Sequence, residues 1–158
     1  MKLSAQEEYG LRCLLTLARS VPGTSLTIPQ IAAAERISGP NVAKLLRVLK
    51  KGGFVAALRG QSGGYTLARP ASEINLGEAL GCLGGRIFDS AFCDRHSSES
   101  RECGHSSDCS VRSVWRLVQS AVDDVLGRLT LADLLVREGG VSVPERARRV
   151  ALPIVQVS

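Results

Sequence analysis

The sequence predicts a mainly α-helical protein that carries one small β-hairpin and a long C-terminal helix. Three observations predict it. Four stretches with apolar residues at helical spacing each open on a capping residue. Two short strand-like runs flank a glycine-rich turn. A 3.5-residue apolar repeat follows a polar, cysteine-bearing segment. A chain of 158 residues with 44% hydrophobic and 22% charged residues suffices for one well-packed core.

The elements follow in order. Ser4 and Glu7 form a capping box, after which Leu11, Leu14, Leu15 and Ala18 recur at helical spacing until Pro22 and Gly23. Thr27 and Gln30, with Pro29 in the first turn, open a short helix whose buried stripe is Ile28, Ile31 and Ala32 and which ends near Glu35. After a turn through Arg36 and Ile37, Ser38 is placed to cap a third helix, in which Val42, Leu45, Leu46 and Leu49 form the apolar stripe. Gly52 and Gly53 stop it. Phe54 to Leu58 and Tyr65 to Ala68 read as strands joined by Arg59, Gly60, Gln61, Ser62, Gly63 and Gly64. Asn75 caps a helix over 76–83, which ends at Gly84 and Gly85. Two short helices joined by a tight turn and followed by a hairpin make a winged helix-turn-helix.

The segment 89–108 has little to bury, and an unstructured loop of about twenty residues is usually functional or disordered. Beyond it Val111, Trp115, Val118, Val122, Val125 and Leu129 alternate steps of four and three, which implies a partner helix. Thr130 and Asp133 form a last capping box ahead of Leu131, Leu134 and Leu135. The reading divides the chain into a winged helix-turn-helix domain at 1–85, a cysteine loop at 86–110, a dimerisation and closing helix at 111–138, and a tail at 139–158.

Charge separates along the chain. Residues 1–70 hold ten Lys and Arg against three acids, whereas residues 71–138 hold seven against eleven. A basic first half suits a polyanion such as nucleic acid. The third helix turns Pro40, Lys44, Arg47 and Lys51 away from its apolar stripe, toward a major groove. The expected DNA contacts are Ser38, Asn41 and Lys44 near the start of that helix, Arg47 on phosphate, and Arg59, Gln61 and Ser62 in the wing. Met1 to Gly10 carries acids where a secretory signal carries an apolar run, and no stretch approaches the roughly 18 apolar residues of a membrane span. The expected location is the cytoplasm. There an odd count of five cysteines points to metal or redox chemistry rather than disulfides.

Cys13 and Cys82 lie in apolar helical stretches and read as core residues. Cys93, Cys103 and Cys109 stand in a hydrophilic setting and read as ligands. Three thiolates suit an iron-sulfur cluster or zinc, and either takes a fourth ligand. The spacing of nine and then five intervening residues does not choose between them, and His96 or His105 would complete a Cys3His zinc site. Three functions therefore stand at this point: a regulator with a metal cluster, a zinc-bound or thiol-switch repressor, and an iron-sulfur electron carrier. No glycine-rich nucleotide loop, paired catalytic carboxylates or Ser-His-Asp constellation is readable, so an enzyme is not expected.

Over residues 1–138 the chain resembles the Rrf-type winged-helix iron-sulfur regulators. The resemblance rests on MKLSAQEEYGLRCLLTLA, IPQIAAAERISGPNVAKLLRVLKKGGFV, LRGQSGGYTLARP, INLGEAL, the three loop cysteines and LTLADLL, in that order. It implies a homodimer with crossing long helices, one palindromic half-site per winged helix, and a cluster on Cys93, Cys103 and Cys109. The four-iron form is favoured over the two-iron form. It also implies repression controlled by iron, nitric oxide or redox state. Two departures stand out. The loop between Cys93 and Cys103 is longer than in IscR-like members, and Arg112 occupies the place of their ligating histidine. A guanidinium, always protonated, cannot replace it as a ligand. NsrR-like members draw an acidic ligand from the first helix of the other protomer, and Glu8 stands at the matching place.

Overall fold

A computed structural model describes residues 4–60, 63–86 and 109–135. The order of elements is helix α1 (Ala5–Arg19), α2 (Ile28–Glu35), α3 (Gly39–Lys51), strands β1 (Val55–Leu58) and β2 (Gly64–Leu67), helix α4 (Leu76–Gly84) and helix α5 (Ser110–Leu126). Single 3-10 turns at Ala71–Glu73 and Leu131–Leu134 complete it. The expected class, a mainly helical winged helix-turn-helix, is the one observed.

Local chemistry explains the starts. The Ser4 N–H donates to Glu7 Oε2 at 2.8 Å while the Glu7 N–H donates to the Ser4 hydroxyl at 3.3 Å. Thr27 and Gln30 repeat the exchange at 2.8 and 3.4 Å. Each closed box satisfies amide groups that the helix itself leaves unbonded, worth about 1 kcal/mol. Ser38 occupies the N-cap of α3 with extended backbone, but its side chain makes no capping bond.

The strands pair antiparallel with Val55 opposite Leu67 and Leu58 opposite Gly64. They start a residue later and a residue earlier than the sequence pattern suggests. Phe54 stands just outside the ladder because its N–H donates to the Leu49 carbonyl at 3.0 Å, although its carbonyl still accepts from the Ala68 N–H at 3.0 Å.

The core gathers Cys13, Leu14 and Leu17 of α1, Ile31 of α2, Val42, Leu45, Leu46 and Leu49 of α3, and Leu76, Ala79 and Leu83 of α4. Helix α1 lies at the centre, packed on α2, α3, α4 and β2. At Gly10 a side chain would overlap Leu83, so the α1–α4 crossing depends on hydrogen there. The chain after α5 returns into this core. Leu131 is fully buried, its N–H donates to the Ile74 carbonyl at 2.8 Å, and Asn75 Nδ2 donates to the Gly127 carbonyl at 2.8 Å. Among the described residues, no helix is long and apolar enough to cross a membrane.

Candidate nucleic-acid interface and cysteine site

Helix α3 is two-faced. Val42, Leu45, Leu46 and Leu49 are buried, and at about 100° per residue Pro40, Lys44, Arg47 and Lys51 project from the opposite side. These four are exposed, as are Lys50 and Ser38. Asn41 is half-buried on the flank of the helix, turned away from the centre of that outward face. Ala43, which was not among the expected contacts, is half-buried on the other flank of the outward face, next to Arg47.

The pose of α3 is set from α1. Arg12 Nε donates to Glu35 Oε2 at 2.7 Å, a second Arg12 nitrogen donates to the Glu35 carbonyl at 3.1 Å, and the Thr16 hydroxyl donates to Glu35 Oε1. The Arg12 guanidinium also stacks over the Tyr9 ring, 5.5 Å from its centroid. The hydrogen bond to Glu35 foremost, and then the charges of Glu35 and Glu8, hold this guanidinium above its ordinary pKa. Just beyond, Arg36 adopts φ 55° and the Ile37 N–H returns to the Ala32 carbonyl at 3.2 Å. A left-handed non-glycine residue is disfavoured locally, so surrounding bonds must hold it. Sequence reading missed this network because its partners lie about two dozen residues apart and follow no period.

The hairpin is anchored as well as folded. The Leu26 N–H donates to the Tyr65 carbonyl at 2.9 Å and the Tyr65 N–H donates back to the Leu26 carbonyl at 2.8 Å. The segment entering α2 thus serves as a third, one-residue strand on the wing. Arg59 at the tip is exposed, and Gly60 beside it takes φ 114°, a conformation that favours glycine. Gln61 and Ser62 lie outside the described residues. At the wing root Arg69 stacks on Phe54, 5.3 Å from the ring centroid, and meets Glu78 Oε2 at 3.3 Å. The outward face of α3 and Arg59 together present cations on two projecting elements, the arrangement that neutralises phosphates.

Of the expected cluster ligands, Cys93 and Cys103 lie outside the described residues, as do His96 and His105. Cys109 is half-buried at the N-cap of α5, where its sulfur accepts the Arg112 N–H at 3.4 Å. Negative charge on that sulfur, as in a metal thiolate, would face the positive end of a helix of 17 residues. Glu8 is exposed on α1. Among the described residues, no three metal-ligating side chains come together. Cys13 and Cys82 behave as core residues. Burial, with the charge of Glu35 adding, pushes the Cys13 thiol up to about 11, and the Cys82 thiol donates to the Val48 carbonyl at 3.5 Å.

Next to Cys109, α5 carries an uncovered apolar face. Val111 is 61% exposed, Val114 57%, Trp115 43% and Leu117 41%. The lower half of the same helix is tied to the body by the pair between Arg86 and Asp123, whose carboxylate also accepts from Gln119 one turn earlier on α5 at 2.8 Å.

Comparison with known proteins agrees with this architecture. Over 135 residues the chain is 33% identical to Protein rrf2 of Nitratidesulfovibrio vulgaris, covering 85% of this chain and 87% of that protein. The solved structure of CymR, the global cysteine regulator of B. subtilis, superposes with a TM-score of 0.68 at 27% identity, over 85% of this chain and 96% of that one. IscR of T. potens gives 0.66 at 30% identity, over 85% of this chain and 86% of that one. Residues 3–137 match the Rrf2 family, described as iron-dependent transcriptional regulators, and this chain belongs to that family: it is a transcriptional regulator, not an enzyme.

Proposed function

We propose that the protein is a homodimeric repressor that binds a palindromic operator and senses iron, nitric oxide or redox state through an iron-sulfur cluster on Cys93, Cys103 and Cys109. The observation that carries this reading is the top of α5, where Cys109 caps the helix directly beside the uncovered Val111, Val114 and Trp115. A second copy covers that face and in doing so closes the cysteine site. The donor set fits the group: three soft thiolates, of which Cys109 stands where a helix N-terminus favours its charge.

Glu8 of the partner subunit is the proposed fourth ligand. Within one chain, Gln6 bonds to the Leu83 carbonyl, which places the first turns of α1 at the end of α4. Arg86, just past α4, pairs with Asp123, and from Asp123 to Cys109 helix α5 rises about 21 Å. That separation favours a Glu8 supplied from across the dimer. When bound, such a cluster supplies iron that nitric oxide, oxygen or iron starvation attacks. The chain's own residues do the rest: α3 enters the major groove with Lys44 and Arg47, the flanking Ser38 and Asn41 lie at its start, and Arg59, Gln61 and Ser62 of the wing reach the minor groove. The division at 1–85, 86–110, 111–138 and 139–158 and the cytoplasmic setting belong to this proposal.

Anaerobic purification with absorption spectroscopy and iron and sulfide counts tests it. A brown protein with sulfide supports the cluster, with four irons favoured. A colourless zinc protein overturns it in favour of the zinc-bound or thiol-switch repressor. Operator affinity, compared with and without cluster at one salt concentration, must differ. Equal affinities remove the sensing role. Arg59→Ala is expected to weaken operator binding and reduce its dependence on salt.

A further inference from the structure

The start of α3 carries little side chain on its outward side. Gly39 has none, Pro40 is exposed, and Ala43 is half-buried on the flank next to Arg47. At about 100° per residue, Pro40 stands opposite the middle of the buried stripe of Val42, Leu45, Leu46 and Leu49. Pro40 and Ala43 are three residues apart, a spacing at which helical side chains are neighbours. The long cations Lys44, Arg47 and Lys51 follow them toward the C-terminal end of the same face.

The chemistry of this face is as restricted as its size. In the major groove an amide suits adenine, a carboxylate suits the amino group of cytosine, and a cation suits guanine. Helix α3 holds no carboxylate, and its one amide, Asn41, is half-buried on the flank. Ser38 is exposed at the N-cap with a hydroxyl that makes no capping bond, but a hydroxyl serves any base pair and selects none. Guanine therefore falls to Lys44. For an A·T pair the outward groups left are the pyrrolidine ring of Pro40 and the methyl of Ala43. Both are apolar, and the apolar group that an A·T pair shows in this groove is the C5 methyl of thymine.

We propose that Pro40 and Ala43 read a thymine in each half-site through its C5 methyl group. The reading rests on α3 entering the major groove. Small residues at the start of the helix let it sink until that methyl is stripped of water, and the cations behind them hold the pose. Pro40 and Ala43 determine specificity at this base pair. Arg47 on phosphate supplies affinity that all sequences share.

The test uses the full chain, purified anaerobically, and the duplex that it selects from a random pool, at one salt concentration. Each thymine is replaced in turn by deoxyuridine, which keeps the hydrogen-bonding edges and removes only the methyl. One thymine per half-site is expected at which binding weakens about fourfold, the worth of one buried methyl. Cytosine at that position should bind more weakly, and 5-methylcytosine should bind about fourfold better than cytosine. In a chain carrying both Pro40→Ser and Ala43→Ser, thymine and uracil at this position should be bound nearly alike. Lys44→Ala should weaken both duplexes together and leave their ratio near wild type.

No thymine whose methyl matters, or a methyl effect that survives in the double variant, overturns the proposal. Loss of affinity in Lys44→Ala and Arg47→Ala then shows that α3 still enters the groove. Wild-type affinity in both of those variants removes α3 from the groove and the methyl reading with it.

Discussion

The α1–α4 body and the upper half of α5 obey the same apolar periodicity and meet opposite surroundings. In the body Cys13, Leu14 and Leu17 of α1 and Val42, Leu45, Leu46 and Leu49 of α3 are almost wholly excluded from solvent, whereas Leu11, Leu15 and Ala18 of the expected α1 stripe are only partly buried. In α5 only Gln119 is buried, while Val111, Val114, Trp115 and Leu117 stand open. An amphipathic pattern shows that a face is to be covered; whether the same chain covers it depends on where the neighbours lie. The body, with Leu131 returning into its core, covers its own stripes, whereas the open face of α5 is left uncovered by this chain.

Perturbations on the two sides of this contrast separate them. Leu46→Ala, at a fully buried position, should destabilise the protein by about 2–5 kcal/mol in urea unfolding, without altering the assembly of the chains that remain folded. Val114→Asp should do the reverse. A charge on the open face is expected to weaken dimerisation about a hundredfold in sedimentation, with near wild-type far-UV circular dichroism. A Val114→Asp protein that remains dimeric would remove α5 from the interface.

Cys13 gives a subtler probe of the body. Its folded pKa of about 11 lies above the ordinary thiol value of 9.0, so the unfolded chain ionises first as pH rises. Stability from this group is complete below pH 9 and is lost between 9 and about 11, amounting to no more than about 3 kcal/mol. Melting curves of the wild type should show a steeper alkaline decline than those of Cys13→Ala. The smallest expected effect is at a helix start. Thr27→Ala should cost about 1 kcal/mol by chemical denaturation, because it leaves the Gln30 amide at the entry to α2 without its hydroxyl partner.

Much of the body was legible in the sequence because its signals are local. Ser4 with Glu7, Thr27 with Gln30 and Asn75 each announce a helix within four residues, and the stripe Val42, Leu45, Leu46 and Leu49 says which side of α3 faces inward. What escaped is non-local. Arg12 and Glu35 belong to different helices, Leu26 and Tyr65 meet across about forty residues, and nothing in either pair follows a period. Ser38 misled in a different way, since it holds the N-cap of α3 with extended backbone and yet its side chain makes no capping bond. At the cysteine site composition marked three thiols as ligands, but Cys93 and Cys103 lie outside the described residues, and only Cys109 received a structural setting.

The paired bonds between Leu26 and Tyr65 join the wing to the lead-in of α2, and through the Arg36 turn to α3. Wing and recognition helix are thereby two jaws of one caliper whose gap is a constant of the fold. In an operator gripped by both, the offset between the major-groove and minor-groove contacts is dictated by the protein, and any misfit is absorbed by bending of the duplex. Sequences that bend easily between those contacts would then be favoured at base pairs that no side chain touches.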